Sequence, residues 1–541
     1  MQTPELTTWQ INGYYTLIIA TIVLLFGRYL VRKYRFLQDF NIPEPVAGGL
    51  VAAVIIYALY LFNHVSFAFD KSLREAFMLV FFSSIGLSAD FSRLKAGGFP
   101  LVIFTIIVGV FIAIQNAVGV GLAVALDQNP LLGLVAGSIT MTGGHGTAAG
   151  WGPDLEKIGL ANATDIGIAC ATFGLVAGGL WWWLRATGGV ADVETAVADR
   201  SGQAAARMGL TRPLLDAVTQ VLTVGAGNSV GREGAPRLAA GAVAARLATR
   251  LGIGRTEGAI LIASAAGAGL AAMYNAPLGG AAYAVELIMV AGMRRRGALV
   301  AVPVCLIAML VSWLHSHGHP TFEIASPGLS SGTALGLVLL VPVAAAVGVG
   351  ARRLWSWMLA HRVRVPRWLP AAIGAAGLVT GLVSLRVPAV VGNGRDAMEA
   401  ALGTRVPEAS SGAVGATLVM LLGIVVLKPA LTGLTLGAGA TGGRLAPSLA
   451  VGSSAGAALA IALQASGVEV SISVLAMAGA GAVLATTQKA PIFGIVFTWE
   501  LARAGVWTLT ALIAVVLPVM LMTSSTWRQS VASRLRNLGM R

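Results

Sequence analysis

Charge is scarce in this sequence. Charged residues make up 11% of the 541 positions, whereas soluble domains carry roughly 25%, which argues against an ordinary soluble protein. Cysteine is nearly absent: Cys170 and Cys305 both have apolar neighbours, so we expect packing residues and no disulfide. The first apolar segment lacks the pattern of a cleaved signal peptide, and we expect it to be retained. No nucleophile–base set or nucleotide-binding loop is recognisable, so we do not expect an enzyme.

Apolar stretches long enough to enter a membrane fill most of the chain. Mean hydropathy is +0.79, and a membrane helix needs about 20 mostly apolar residues. The pattern predicts an all-α polytopic membrane protein with roughly ten to fourteen membrane-embedded segments. The 68 Gly residues favour a transporter, because small residues let membrane helices pack closely and also interrupt them. The clearest stretches are Tyr15–Tyr29, Val46–Phe62, Leu101–Leu126, Ala298–Leu314, Thr333–Val349, Gly412–Leu427 and Thr508–Leu521.

The net charge of +14 comes from basic residues that flank apolar segments. This is the pattern of the loops that orient membrane helices, with contact to anionic lipid as the lesser alternative. We therefore expect the lipid bilayer as the environment and no nucleic-acid partner. The basic clusters are Arg28, Arg32, Lys33 and Arg35; Arg294, Arg295 and Arg296; Arg352 and Arg353; and Arg528, Arg534 and Arg536.

The C-terminal part contains an internal repeat. Gly231–Gly241 matches Gly442–Gly452 at an offset of 211 positions, and Asn275–Leu287 matches Lys489–Leu501 at an offset of 214. Two motifs in the same order at nearly the same offset indicate a duplicated membrane unit. Transporters built in this way hold their site where the repeats meet.

Each copy of the first motif places a proline at the start of a small-residue helix, at Pro236 and at Pro447. A helix N-terminus carries partial positive charge and free N–H groups. Two such ends that meet in the membrane would bind an anion without a full positive charge, so that the anion can also leave. Glu233 lies in the first motif and would compete with the anion until it is protonated. The alternative is that Glu233 pairs with Arg232 or Arg237 at a loop edge.

Gly231–Pro236 resembles the GREGP motif of the CLC family of chloride channels and proton/chloride exchangers. Gly443–Pro447 resembles the family's GxFxP motif, with Leu445 in place of Phe, and the similarity spans about Asp192–Met522. The resemblance implies chloride and protons as transported ions, a homodimer with one pore per subunit, and Glu233 as the gating glutamate. It implies anion-binding backbone at Gly231, Arg232, Gly234, Arg444, Leu445 and Ala446.

The sequence departs from that family at three points. Exchangers often carry two adjacent glutamates after the NAPLGG stretch, but Glu286 is followed by Leu287, so Glu286 is a candidate either for proton transfer or for a structural pairing. No tyrosine follows Tyr283 to match the family's pore tyrosine. The family's first helices and its GSGIP serine are not recognisable. The choice between channel and proton-coupled exchange therefore stays open.

The N-terminal part, Trp9–Leu184, resembles the first half of bacterial sodium/glutamate symporters. The resemblance rests on the following stretches, the fourth above all: Ile42–Gly49, Phe82–Leu87, Gln115-Asn116, Gly137–Thr147, Asn162–Thr164 and Cys170–Gly174. A Gly-, Ser- and Thr-rich break of this kind can hold a carboxylate and a sodium ion, although it can also be a packing turn. The candidate residues of this remnant are Ser138, Thr142, Gly143, Gly144, His145, Gly146 and Thr147.

That symporter family places its substrate between two repeats, and the second repeat is not found in this sequence. Half a site would leave backbone polar groups facing the wrong neighbour in the bilayer. We therefore do not expect this chain alone to carry glutamate, unless two chains supply one repeat each.

The sequence thus predicts one symporter-like helical repeat (1–184), a polar junction (185–212), a CLC-like repeat domain (213–522) and a basic cytoplasmic tail (523–541). Anion transport in a bacterial inner membrane is the first functional hypothesis. Sodium-coupled glutamate symport is the second, and a non-functional fusion or misassembled reading frame is the third. We expect no cofactor and no metal site; the trio His315, His317 and His319 is interpreted as a solvated loop.

Overall fold

The computed structural model describes residues 7–34, 37–38, 42–70, 76–77, 79–80, 83–84, 87, 91–186, 192–199, 203–225, 228–316, 320–322, 324, 330–365, 368–403 and 411–524. Nine helices among these residues are long and apolar enough to cross a membrane, which confirms the predicted all-α polytopic architecture. The chain divides into two compact units, Met1–Leu175 and Val176–Arg541. The tail after Ser524, His317, His319 and part of Phe82–Leu87 lie outside the described residues.

The first unit is built from helices and one small sheet. Strands β1 (Thr7–Ile11) and β2 (Val65–Phe69) pair in parallel, a feature that the sequence did not indicate. The helices are α1 (Gly13–Lys33), α2 (Glu44–Asn63), α3 (Phe91–Ala125), α4 (Pro130–Leu134), α5 (Gly144–Lys157) and α6 (Ala163–Ala186), which runs on past the end of the unit.

The long helices of this first unit are poorly covered. The apolar windows of α1, α2 and Val102–Ala125 are 6%, 11% and 0% buried within the chain, compared with 89% for Leu445–Ala465 in the second unit. Helices α1 and α2 nevertheless touch closely, because Gly27 and Gly48 leave no side chain between the two backbones. The first unit therefore has only a small core of its own.

The second unit begins with short helices that fall inside the predicted polar junction. Asp192 caps α7 by accepting the Thr195 N–H at 2.7 Å, and Val193, Ala196 and Val197 are buried in the core of this unit. Part of the junction is thus packed structure. The helices are α7 (Val193–Ala198), α8 (Gln203–Met208), α9 (Thr211–Gly225), α10 (Gly234–Arg250), α11 (Arg255–Tyr274), α12 (Pro277–Tyr283), α13 (Arg294–Ser316), α14 (Ser331–Ala360), α15 (Leu369–Ser384), α16 (Arg395–Gly403), α17 (Ser411–Gly437), α18 (Leu445–Ala465), α19 (Ile472–Gln488), α20 (Pro491–Ala502) and α21 (Val506–Thr523).

The sequence repeat has a matching backbone geometry. Helix α11 ends at Asn275 with φ of 60°, and α19 ends at Lys489 with φ of 58°, both in the left-handed region. Each is followed by Ala-Pro, and the proline begins the next helix, α12 or α20. The two copies of the second motif therefore share the same helix–turn–helix connection.

Helices α18 and α19 form the centre of the second unit. Nearly every residue in them is buried, and their backbones approach at Gly452, Gly456 and Gly479. A Cβ at Gly479 would overlap the Gly452 carbonyl oxygen. Close contact between these two helices thus requires glycine, as in other membrane helix pairs.

We expect Gly479→Ala to destabilise the second unit by about 1–3 kcal/mol, because the added methyl group forces α18 and α19 apart. The measurement is the temperature at which detergent-solubilised protein loses its monodisperse elution peak. Gly350→Ala in α14 is the matched control, since nothing lies within 4 Å of a Cβ at that position. Equal melting temperatures for the two variants would contradict the packing argument.

Candidate functional site

The loops that precede helices α10 and α18 are paired with each other. The Gly231 N–H donates to the Gly443 carbonyl at 2.9 Å, and the Gly443 N–H donates to the Gly231 carbonyl at 2.7 Å. Helix α10 begins three residues after Gly231, and α18 begins two residues after Gly443. The structure therefore brings together the two helix starts that Pro236 and Pro447 indicated in the sequence.

Glu233 reaches across this junction. Its side chain is fully buried, and its Oε1 accepts a hydrogen bond from the Ala446 N–H at 2.8 Å. Its Oε2 is buried without a hydrogen bond among the described residues. A Cβ at Gly443 would lie 2.7 Å from the Glu233 Cδ, so a glycine is needed to admit the carboxylate. The acidic group thus occupies the N-terminus of α18, where an anion would be favoured.

The alternative prediction, a salt bridge from Glu233 to Arg232 or Arg237, does not describe this geometry. Arg237 donates from Nε to the backbone carbonyl of Glu233 at 3.1 Å, and its Nη1 lies 3.3 Å from Glu194 Oε1. Its guanidinium also lies 5.1 Å from the centre of the Tyr283 ring. Within the described part of the chain, the Glu233 carboxylate has no ion pair.

The other predicted anion-binding residues surround the same junction. Gly231 and Gly443 form the bridge, Gly234 begins α10, and Arg232 is exposed. In the second loop, Arg444 precedes α18, and Leu445 and Ala446 form its first turn. The predicted residues of the two loops are therefore neighbours in space, although 213 positions separate Glu233 from Ala446.

Glu286 lies in a different arrangement, a reciprocal pair with Glu500. The Glu286 carboxylate accepts N–H groups of Ile492 at 3.4 Å and Phe493 at 2.7 Å, at the start of α20. The Glu500 carboxylate accepts the N–H groups of Leu278 at 3.1 Å and Gly279 at 2.6 Å, at the start of α12. Each carboxylate caps the helix of the other repeat. Of the two predicted roles for Glu286, this geometry favours the structural one.

Lys428 was missed by the sequence interpretation. It lies in the middle of α17, is fully buried, and donates from Nζ to the carbonyls of Val390 at 2.7 Å and Gly392 at 2.8 Å. A third carbonyl, that of Val391, lies at 3.4 Å. The signal was present in the sequence, because Lys428 ends the apolar stretch Gly412–Leu427, and an ionisable residue in a membrane helix is a functional candidate by default.

The break predicted in the first unit is present. After α4 the chain forms a π-helical turn, Val135–Ile139, and α5 begins at Gly144 with φ of 72°. The Thr142 hydroxyl donates to Gln115 Oε1 at 2.7 Å, His145 Nε2 lies 2.8 Å from the Thr172 hydroxyl, and the Thr147 hydroxyl donates to the Gly143 carbonyl at 3.0 Å. The Ser138 carbonyl accepts the N–H groups of Thr142 and Gly143. Gly146 lies in the first turn of α5.

These polar groups of the break thus have their hydrogen-bond partners within the first unit, partly in the break and partly on α3 and α6. No cluster of three or more potential metal ligands occurs among the described residues.

Two family matches cover most of the sequence. Residues 9–182 match the sodium/glutamate symporter family, and residues 173–522 match the voltage gated chloride channel family. The sodium/glutamate symporter of Haemophilus influenzae is 49% identical over 174 residues, which are 32% of this chain and 43% of the relative. The voltage-gated ClC-type chloride channel ClcB of Shigella flexneri is 31% identical over 249 residues, 45% of this chain and 56% of the relative.

The chain therefore spans about half the length of each of these curated relatives. Among solved structures, a slow cyanobacterial Cl⁻/H⁺ antiporter matches with a TM-score of 0.52 and 20% identity, covering 78% of this chain and 96% of that one. This likeness shows the fold. The fusion-like organisation predicted from the sequence is confirmed by the two family matches.

If the reciprocal capping is structural, Glu286→Gln and Glu500→Gln should lower the melting temperature by similar amounts. Each loses charge-assisted hydrogen bonds worth about 1.5–3 kcal/mol each to a helix start. Thermal unfolding in detergent checks this expectation. The exposed Glu469→Gln serves as the control, and a Glu286→Gln variant as stable as the parent would contradict the capping role.

Lys428→Met should destabilise the second unit more than Lys428→Arg does. Methionine fills a similar volume but leaves carbonyls of Val390 and Gly392 buried without a donor, at a cost of about 1–3 kcal/mol each. The two variants are compared by thermal unfolding under the same conditions. Equal stability of Lys428→Met and the parent would show that these carbonyls find other donors.

Proposed function

The chain belongs to the voltage gated chloride channel family, and from this premise we propose that its second unit passes small inorganic anions, chloride first among them, across the membrane. The observation that carries the proposal is the bond from the Ala446 N–H to the buried carboxylate of Glu233. A carboxylate and a chloride ion compete for the same partial positive charge at a helix N-terminus. If the Glu233 carboxylate moves away, the Ala446 N–H becomes available to bind an anion.

Protonation of Glu233 supplies the gating step. The charged carboxylate binds the Ala446 N–H more strongly than a neutral carboxylic acid does, because a charge-assisted hydrogen bond is the stronger kind. As the pH falls, the protonated fraction of Glu233 increases and the anion path opens. Anion flux should therefore rise as the pH is lowered.

Proton-coupled exchange is the finer form of this proposal, and a proton-gated channel is its alternative. Leu287 stands where the resemblance to exchangers leads one to expect a second glutamate, and the Glu286 carboxylate is already bonded to Ile492 and Phe493. These two facts favour a gate at Glu233 without a second carboxylate in the proton path. Measurement of proton movement alongside chloride flux distinguishes the two forms.

We expect purified protein in liposomes to pass chloride, with a flux that rises at low pH. Glu233→Ala and Glu233→Gln should flatten this pH dependence, because neither side chain can be ionised. Glu469→Gln, an exposed carboxylate on the same unit, is the matched control and should keep the parental profile. A Glu233→Gln variant whose flux still varies with pH as the parent's does would overturn the gating role.

Sodium-coupled glutamate symport is the second candidate function, supported by the broken helix around Gly143 and the match over residues 9–182. The matched region covers 43% of the Haemophilus influenzae symporter, so a site that needs both repeats would have to draw on a second chain. Sodium-driven glutamate uptake in the same liposomes tests it.

The same preparation also tests the third hypothesis. A fusion in which neither unit folds would fail to give monodisperse, membrane-inserted protein. We propose the inner membrane of a bacterium as the location, in line with the bacterial relatives. We further propose a homodimer, as the resemblance to the family implies, with one pore in each subunit, because a single chain supplies both helix starts and Glu233.

A further inference from the structure

A cavity of about 260 Å³ in the second unit ends at Ala446, the residue whose N–H holds Glu233. Its wall comes from the end of α11, the turn before α16 and the first turn of α18. The space corresponds to several water molecules, each of which takes about 30 Å³ in the liquid. A small hydrated ion therefore fits beside the candidate gate.

The charge on this wall has one sign. Arg232 and Arg395 line the cavity, and none of its lining residues is acidic. Arg395 Nε also lies 2.6 Å from Glu399 Oε1, one turn along α16. Asn393 adds a neutral polar side chain to the same wall. Such a wall favours an anion over a cation.

The hydroxyl group of Tyr274 is the unusual feature of the cavity. Tyr274 is 7% exposed, and its hydroxyl makes no hydrogen bond of ordinary geometry among the described residues. It faces Asn393 and lies within electrostatic reach of Glu233. A buried hydroxyl without a partner loses its hydration, unless a ligand or water accepts its proton.

The position of Tyr274 does not depend on that hydroxyl. Its ring packs edge-to-face against Phe497, with ring centres 5.4 Å apart, and its backbone carbonyl accepts the Thr321 hydroxyl at 2.9 Å. Packing thus holds the ring in place without help from the hydroxyl, which is buried beside the Asn393 side chain. Removal of the oxygen atom should leave the ring where it is.

We propose that this cavity is a second anion site, in which the Tyr274 hydroxyl, Arg232 and Arg395 hold a small inorganic anion beside the Glu233 carboxylate. The proposal rests on the proposed anion transport and adds a site before the helix junction. An anion bound there is ready to take the Ala446 N–H when Glu233 is protonated and leaves. Anion supply from this side of the gate then depends on the Tyr274 hydroxyl.

Chloride flux in liposomes gives the first test. Tyr274→Phe should raise the chloride concentration for half-maximal flux by about threefold to tenfold, the loss of one hydrogen bond to an anion. The pH dependence set by Glu233 should remain. The exposed Tyr57→Phe is the matched control and should leave the half-maximal concentration unchanged. An unchanged value in Tyr274→Phe would overturn the proposal.

Arg395 allows a sharper comparison. Arg395→Gln should raise the half-maximal chloride concentration, because it removes positive charge from the wall. Glu399→Gln breaks the same ion pair but leaves the Arg395 charge in the cavity, so it should leave the value unchanged or lower it. If Glu399→Gln raises the value as much as Arg395→Gln does, the ion pair and not an anion site explains the effect.

Bromide binding tests the site without transport. In crystals soaked with bromide, anomalous scattering should place an ion within hydrogen-bond distance of the Tyr274 hydroxyl, and Tyr274→Phe should weaken that peak. If bromide binds at Ala446 in crystals of Glu233→Ala but not beside Tyr274, the second site is refuted. Bromide beside Tyr274 in a protein that passes no chloride would instead refute the proposed function and leave the site standing.

Discussion

The pairing of Gly231 with Gly443 is the constraint on which the rest of the site depends. Two backbone hydrogen bonds join loops that are distant in the sequence, and they set the starts of α10 and α18 side by side. Glu233 can then place its carboxylate on the Ala446 N–H, in a space that only glycine at position 443 leaves open. The attraction between a carboxylate and a helix N-terminus is modest in water, but it grows in a buried site of low dielectric constant. The proposed anion site and the proposed gate both depend on this junction, and the cavity lies beside it.

The two repeats are also joined by hydrogen bonds at a second place, apart from the Gly231–Gly443 pair. Glu286 and Glu500 cap helices reciprocally. Each carboxylate accepts hydrogen bonds from two N–H groups at the start of a helix in the other repeat. Each carboxylate is half-buried and is stabilised by the two backbone N–H groups that donate to it. The two glutamates stand at equivalent positions of the two motifs, so the bonds of Glu286 to α20 are matched by those of Glu500 to α12. Lys428 stabilises the turn after Val390 in a similar way. Its ammonium group donates hydrogen bonds to the carbonyls of Val390 and Gly392, which would otherwise be buried without a donor.

The first unit covers little of its own apolar surface. Its break at Gly143 and Gly144 is hydrogen-bonded within the unit, yet the apolar stretches of α1, α2 and Val102–Ala125 are hardly buried. In the second unit, by contrast, α18 and α19 are buried almost completely by the other helices of the repeat pair. The repeated motifs of the second unit thus lie in a well-covered core, whereas the long helices of the first unit keep most of their described apolar surface exposed.

Much of this protein could be predicted from the sequence alone, because hydropathy, proline position and repeated motifs act locally. They determined the all-α membrane architecture, the two family-like parts, the helix starts at Pro236 and Pro447 and the candidacy of Glu233. Local pattern could not decide which groups the buried charges meet. Only the tertiary structure shows Glu233 on Ala446 instead of on an arginine, Glu286 as a cap on α20, Lys428 among carbonyls, and Tyr274 in the wall of a basic cavity. The partners of these groups lie from 36 positions away, for Lys428 and Gly392, to 213, for Glu233 and Ala446, and folding alone brings them within hydrogen-bond distance.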